Sequence, residues 1–229
     1  MRTPLILIGV VAVVAAVVVA VSGVGPAPAP TPSGVAGLQT GAATSPGGVA
    51  VSPAGQLAIL WPAPSDPLER TVAAGLQPAP QEYGFNHVHA HLDMFVDGQK
   101  IVVPAGIGIN TKDPEVIYFD DVGSYGGIKM CGQPCISPLH THDASGILHT
   151  ESRDAQPHTL GQFFTEWGVE LSETCVGDKC APTPIAVYIG GQPYQGDPRA
   201  IELTDQKVIV VVVGTPPAVI PSTADFSQA

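Results

Sequence analysis

The chain has 229 residues, enough for one ordinary domain with attachments. Nine Lys and Arg stand against 20 Asp and Glu, a net charge of −11, which argues against nucleic acid as a partner because nothing in such a balance neutralises a phosphate backbone. The 26 glycines and 24 prolines are nearly twice the usual share of roughly 12%, so much of the chain is turn or linker.

The N-terminal stretch, residues 1–22, reads as a targeting element. Leu5 to Val21 is an apolar run interrupted only by Gly9, with a single charge before it at Arg2. One reading is a secretory signal peptide with Ala20-Val21-Ser22 as a small-residue cleavage site. The other is an uncleaved single-pass anchor, because the uncharged span from Pro4 to Pro26 is about long enough to cross a 30 Å bilayer. No cysteine follows the run, which argues against a lipid-anchored form. Either reading puts the rest of the chain outside the cytoplasm, at the membrane or secreted.

Residues 23–81 are dominated by Pro, Ala, Gly, Ser and Thr and hold eleven of the prolines. Such a segment buries too little apolar surface to offset its ordering entropy and is expected to be a flexible stalk. A more apolar patch, Leu57 to Trp61, is the one part expected to dock on the domain.

Residues 82–229 are expected to form one β-rich α+β domain, mostly antiparallel, with one main helix. Val88, Ala90, Leu92, Met94 and Val96 alternate with polar positions, and Asp97-Gly98 signals a tight hairpin into Lys100–Val103. Ala186–Ile189 before Gly190-Gly191 is a second hairpin signal, and Lys207–Val213 is a continuous apolar run suited to a central strand. Thr159 with Gln162 makes a capping box, followed by Leu160, Phe163, Phe164 and Trp167 at helical spacing and by Gly168 as a stop.

All seven histidines fall between His87 and His158. On a strand, His87, His89, His91 and Asp93 share one face, while Val88, Ala90, Leu92 and Met94 hold the other against the core. Neighbouring imidazoles on that face lie about 6.6–7 Å apart at Cα, close enough for two to converge on an ion; the outer pair is too far apart for all three. A second cluster, His140-Thr-His142-Asp143-Ala-Ser145-Gly146-Ile-Leu-His149-Thr-Glu151, reads as a hairpin. A two-residue turn sets His142 opposite His149; a four-residue loop sets His140 opposite His149. Both keep His140, His142, His149 and Glu151 on one face, since the shift preserves parity. The expected ligands are therefore His87, His89, His91, His140, His142 and His149, with Asp93, Asp143 and Glu151 as further ligands or as carboxylates that orient the imidazoles. An imidazole-rich set suits Zn or Cu. The bland alternative is a solvated or pH-sensitive histidine face. His158, just before the helix, reads as a cap or surface residue.

Cys131 and Cys135, and Cys175 and Cys180, are two closely spaced pairs, and in an exported domain they are expected to form two local disulfides. A second reading makes Cys131 and Cys135, near His140, a thiolate-and-imidazole copper site, although no βαβ pattern surrounds them.

The strings HVHAHLDMFVDGQKIVVPAGIGI, LHTHDASGILHTES and TLGQFFTEWG resemble a group of exported or membrane-anchored prokaryotic proteins. The resemblance is clear over Phe85–Gly168 and looser toward the C-terminus; it implies no particular activity. From the residues, the first expectation is an extracytoplasmic metal-binding module on a membrane-tethered stalk. Behind it stand a structural or partner-binding surface domain and a metal-dependent hydrolase or lyase with Glu151 or Asp143 as base. No HExxH, nucleophile elbow or phosphate loop commits the chain to a reaction.

Overall fold

The computed structural model describes residues 59–227 apart from Lys129; the apolar N-terminal run and the expected stalk as far as residue 58 lie outside the described residues. No helix among the described residues is long and apolar enough to cross a membrane.

The domain is β-rich α+β, built on one seven-stranded mixed sheet. Its long strand is β1 (Asn86–Val96). Asp97 and Gly98, both at positive φ, turn it into β2 (Gln99–Ile101), with Val96 opposite Gln99. An excursion carries a small hairpin, β3 (Ile117–Phe119) with β4 (Ser124–Gly126). The chain then re-enters the sheet as β5 (Leu139–His140) and β6 (Ile147–Ser152). A second small hairpin follows, β7 (Cys175–Val176) with β8 (Lys179–Cys180). Next come β9 (Ile185–Ile189) and β10 (Gln192–Tyr194), joined at Gly190-Gly191 as their signal predicts. The last strand is β11 (Val208–Val213), buried at every position between β9 and β1.

The sheet order is β10-β9-β11-β1-β6-β5, with β2 also on β1. Most pairings are antiparallel; β1 with β11 is the parallel one. β1 is the hub. Its first half, Asn86 to His91, pairs with β6 and its last three residues pair with β2, while its opposite edge pairs with β11 from His91 onward.

One face of the sheet carries the main core. Ala90, Leu92 and Met94 of β1, Leu148 of β6 and Ile209, Val211 and Val213 of β11 are buried there against Leu160, Phe163, Phe164 and Trp167. The last four belong to α2 (Leu160–Trp167), which starts at the predicted capping box and ends at Gly168 in the left-handed conformation. On the opposite face Phe95, Val210 and Val212 form a smaller cluster with Ile220 of the C-terminal tail. Ala90, Leu92 and Met94 of the β1 pattern thus meet the core, with Val96 packed against it, as their alternation predicts.

The stalk expectation fails at its C-terminal end. Residues 67–73 form a helix, α1 (Pro67–Ala73), with proline in its first turn, and α1 packs on α2. Leu76 joins the main core, and the backbone of Ala79 bonds to Ile136 and Cys135. Trp61 docks edge-on against Trp167, with ring centroids 6.2 Å apart, and its carbonyl accepts a 3.0 Å bond from the Trp167 indole N–H. Composition misleads here because a few large side chains in a Pro- and Ala-rich stretch are enough to order it.

Both disulfides are the local ones, Cys131–Cys135 and Cys175–Cys180. Cys131 and Cys135 are buried with Ile109, Val116 and Ile136. Their sulfurs are bonded to each other, so the thiolate copper reading does not hold.

Trp61→Ala tests whether this segment belongs to the fold. Full truncation of a buried Trp costs about 3–5 kcal/mol. Trp61 is half-buried, so urea unfolding should show a loss of about 2 kcal/mol, whereas in a free linker the change would stay within about 0.5 kcal/mol.

Candidate metal centre

The site lies on the sheet face opposite α2. β6 pairs with both β1 and β5, and the registers set His89 opposite His149 and His149 opposite His140. These are three imidazoles in one row across three adjacent strands. One rung along, His87 sits opposite Glu151. Of the two registers the sequence allows for the second hairpin, the one with His140 facing His149 is adopted. β5 ends at His140, so His142 leaves the ladder, yet it still turns into the cluster, with its ring centroid 4.5 Å from that of His149.

The edge beyond β5 is closed by residues 104–111. Thr141 N–H donates to the Ile107 carbonyl and Ser137 N–H to the Gly108 carbonyl. Gly108 adopts φ +73, and a Cβ there would fall 2.5 Å from the Leu139 carbonyl and 3.1 Å from the His140 Cβ. Only glycine lets this loop press so closely on the strand that carries His140.

The nitrogens are presented as ligands. His140 Nδ1 lies 2.9 Å from the Ser137 carbonyl and His142 Nδ1 lies 2.6 Å from the Tyr125 carbonyl. A carbonyl only accepts, so both Nδ1 atoms carry the proton and both Nε2 atoms present lone pairs in the neutral rings. Those two Nε2 atoms face each other at 3.1 Å. Two lone pairs so placed repel unless a proton or a cation lies between them. Two bonds of about 2.0–2.1 Å to a shared ion would meet at roughly 95–100°. His140 is fully buried, and burial together with His142 and His149 holds its pKa well below the ordinary imidazole value. His149 Nδ1 is buried without a hydrogen bond and lies 3.8 Å from a Glu151 oxygen.

On the outer side, His87 Nε2 and His89 Nε2 are 3.1 Å apart, and His87 Nε2 is 3.3 Å from Glu151. The donor atoms fall into two sets within 4.8 Å of one another: His140, His142, His149 and Glu151, and His87, His89 and Glu151. Burial raises the Glu151 pKa, but His149, His87 and His142 together outweigh it and hold this carboxyl below its ordinary range. Burial, followed by His149 and His87, lowers the pKa of His89.

Three of the expected residues do not join the site. His91 is on the right face, but its Nε2 bonds to the Ser145 carbonyl at 3.1 Å and its ring lies near Asp93 and Phe226. The loop between β5 and β6 folds over it, and a Cβ at Gly146 would come within 3.1 Å of His91 Nε2. Asp93 makes a 2.6 Å ion pair with Lys100. Asp143 accepts the Ser145 N–H in its own turn. His158 is neither cap nor surface residue: Thr159 caps α2, and His158 is buried.

One site residue was not expected. Glu82, just ahead of β1, puts a carboxylate oxygen 3.4 Å from His142 Nε2 and 4.0 Å from His140 Nε2, and burial and Glu151 raise its pKa. It directly follows a segment whose composition reads as linker, and no strand period links it to the histidines.

Comparisons with protein-family models, with curated proteins and with solved structures find no match for this chain.

Burial of titratable groups sets the pH dependence expected of the domain in chelator. Burial, before any other cause, lowers His89, His91, His140, His149 and His158 below the imidazole value of 6.5. Between each folded value and 6.5 the unfolded chain binds more protons, so stability is present above 6.5 and lost as the pH falls through the folded values. Glu166 of α2 acts oppositely. It is fully buried, and burial pushes it from 4.5 up to about 8, against the hydroxyls of Ser137 and Thr71. Its contribution is present below 4.5 and lost as the pH rises to 8. Thermal unfolding in chelator should therefore show a maximum near pH 6.5, each group contributing at most about 1.4 kcal/mol per pH unit. Glu166→Gln should flatten the decline between pH 6.5 and 8 and keep the acid limb.

Proposed function

We propose that this domain is an extracytoplasmic metal-binding module that takes Zn or Cu through His140, His142 and His149, with Glu151 and Glu82 supplying negative charge, and that residues 1–22 export it or hold it at the membrane. The observation that carries the reading is the pair of carbonyl-fixed imidazoles whose Nε2 lone pairs face each other at 3.1 Å. Backbone carbonyls that hold Nδ1–H and leave Nε2 free are the usual partners of metal-bound histidine. A nitrogen-rich donor set favours Zn, Cu or Ni over Ca or Mg, which take oxygen ligands. The two disulfides suit an oxidising compartment outside the cytoplasm.

The buried ligands sit on strands anchored by the main core, which favours capture and retention. His140 is fully buried and His149 nearly so, so an ion bound there would be released slowly.

The test is metal content. Protein stripped with chelator, exposed to Zn(II) or Cu(II) and passed through gel filtration should retain at least one ion per chain. His140→Ala with His142→Ala should lower affinity by more than the 10–100-fold typical of losing an orienting partner, with the far-UV spectrum and both disulfides retained. A stripped protein that binds neither ion on titration overturns the proposal.

A further inference from the structure

The site holds more donors than one ion can use. Five imidazoles, from His87, His89, His140, His142 and His149, and two carboxylates, Glu82 and Glu151, face one another. A tetrahedral ion takes four ligands. The close approach of two Nε2 atoms also occurs twice, between His140 and His142 and again between His87 and His89, both at 3.1 Å. Glu151 belongs to both donor sets, 3.3 Å from His87 Nε2 and 3.8 Å from His149 Nδ1.

We infer that the centre takes two metal ions bridged by the Glu151 carboxylate: an inner ion on His140, His142 and His149, and an outer ion on His87 and His89. The inference rests on the metal-binding reading above and adds to it a second ion with a different character. Ions sharing a bridge in binuclear sites lie about 3.5–4 Å apart, a spacing one carboxylate between neighbouring strand positions can span. Charge supports the count. Glu82 and Glu151 lie among the donors, and Asp205 accepts the His89 backbone N–H at 3.3 Å. Two carboxylates among the donors, with the Asp205 carboxylate at the backbone of His89, suit more positive charge than one dication brings.

The two positions differ in access. The His140 side chain is 0% exposed and those of His149 and Glu151 about a tenth, whereas that of His87 is 49% exposed. The inner ion is therefore held, while the outer ion exchanges with solvent, the arrangement of a loading position in front of a retained one.

Equilibrium titration of the stripped full chain with Zn(II) should give two ions per chain, the second bound at least tenfold more weakly. Release to a colorimetric chelator in excess should follow two phases of equal amplitude. His87→Ala with His89→Ala should lower the ratio from two to one and remove the fast phase. With two equivalents of Cu(II), coupling through Glu151 should bring the integrated paramagnetic resonance intensity below that of two isolated ions, and Glu151→Ala should restore it toward the isolated value or lower the stoichiometry. One ion per chain, released in a single phase from wild-type protein and unchanged by loss of His87 and His89, overturns the two-ion inference and leaves the metal-binding reading standing. No bound ion at all overturns that reading itself.

Discussion

The register of β6 between β1 and β5 is the constraint on which the rest depends. It aligns His89, His149 and His140 in one rung, and side-chain parity does the remainder. A slip of one residue in either pairing would send one histidine of the row into the main core and bring an apolar neighbour, Leu148 or Leu139, to the site. The same alternation that buries Ala90, Leu92 and Met94 under α2 therefore presents the imidazoles. Core and site are not separate achievements of this sheet, because each strand fixes one by fixing the other.

That coupling explains why so much was legible in the sequence. Period-2 patterns are local, so the face of His87 and His89, the parity of His140, His142 and His149, both tight hairpins and the capped helix could be read from neighbouring residues alone. What could not be read depends on contacts distant along the chain. Glu82 reaches His142 only because the segment before β1 returns to the mouth of β5 and β6. His91 has the right face, but the loop at 141–146 closes over it and spends its Nε2 on the Ser145 carbonyl. Asp93 was claimed by Lys100 across the β1–β2 hairpin, a pairing visible only once Phe95 is set opposite Lys100. The helix at 67–73 escaped notice because its seven residues are too few to show a period, and it is held by packing on α2.

The carbonyls of Ser137 and Tyr125 belong to the same class of hidden information. Neither is marked by any residue type, yet they decide which nitrogen of His140 and His142 is free. Tyr125 lies on the β3–β4 hairpin, whose backbone also bonds to the His142 carbonyl. The otherwise peripheral excursion after β2 thus acts as a brace for one ligand, with the Cys131–Cys135 disulfide fixing the later part of the same excursion.

Without a cation between them, the groups of this site would work against the fold. Imidazole lone pairs are aimed at one another, a buried His149 nitrogen lacks a hydrogen bond, and burial makes His89, His140 and His149 resist the charge that would relieve the repulsion. Conformational entropy leaves a domain of this size a margin of only about 5–15 kcal/mol, so these features consume part of a small total. A bound cation reverses their sign, because each lone pair becomes a ligand bond and nearby carboxylates become counter-charges. Since the unfolded chain lacks the three-strand row, binding free energy is added to folding free energy. On the metal-binding reading proposed above, this is a sheet whose full stability would be reached only with metal, and the length of β1, the brace at Tyr125 and the close approach at Gly108 are what hold the candidate ligands in place.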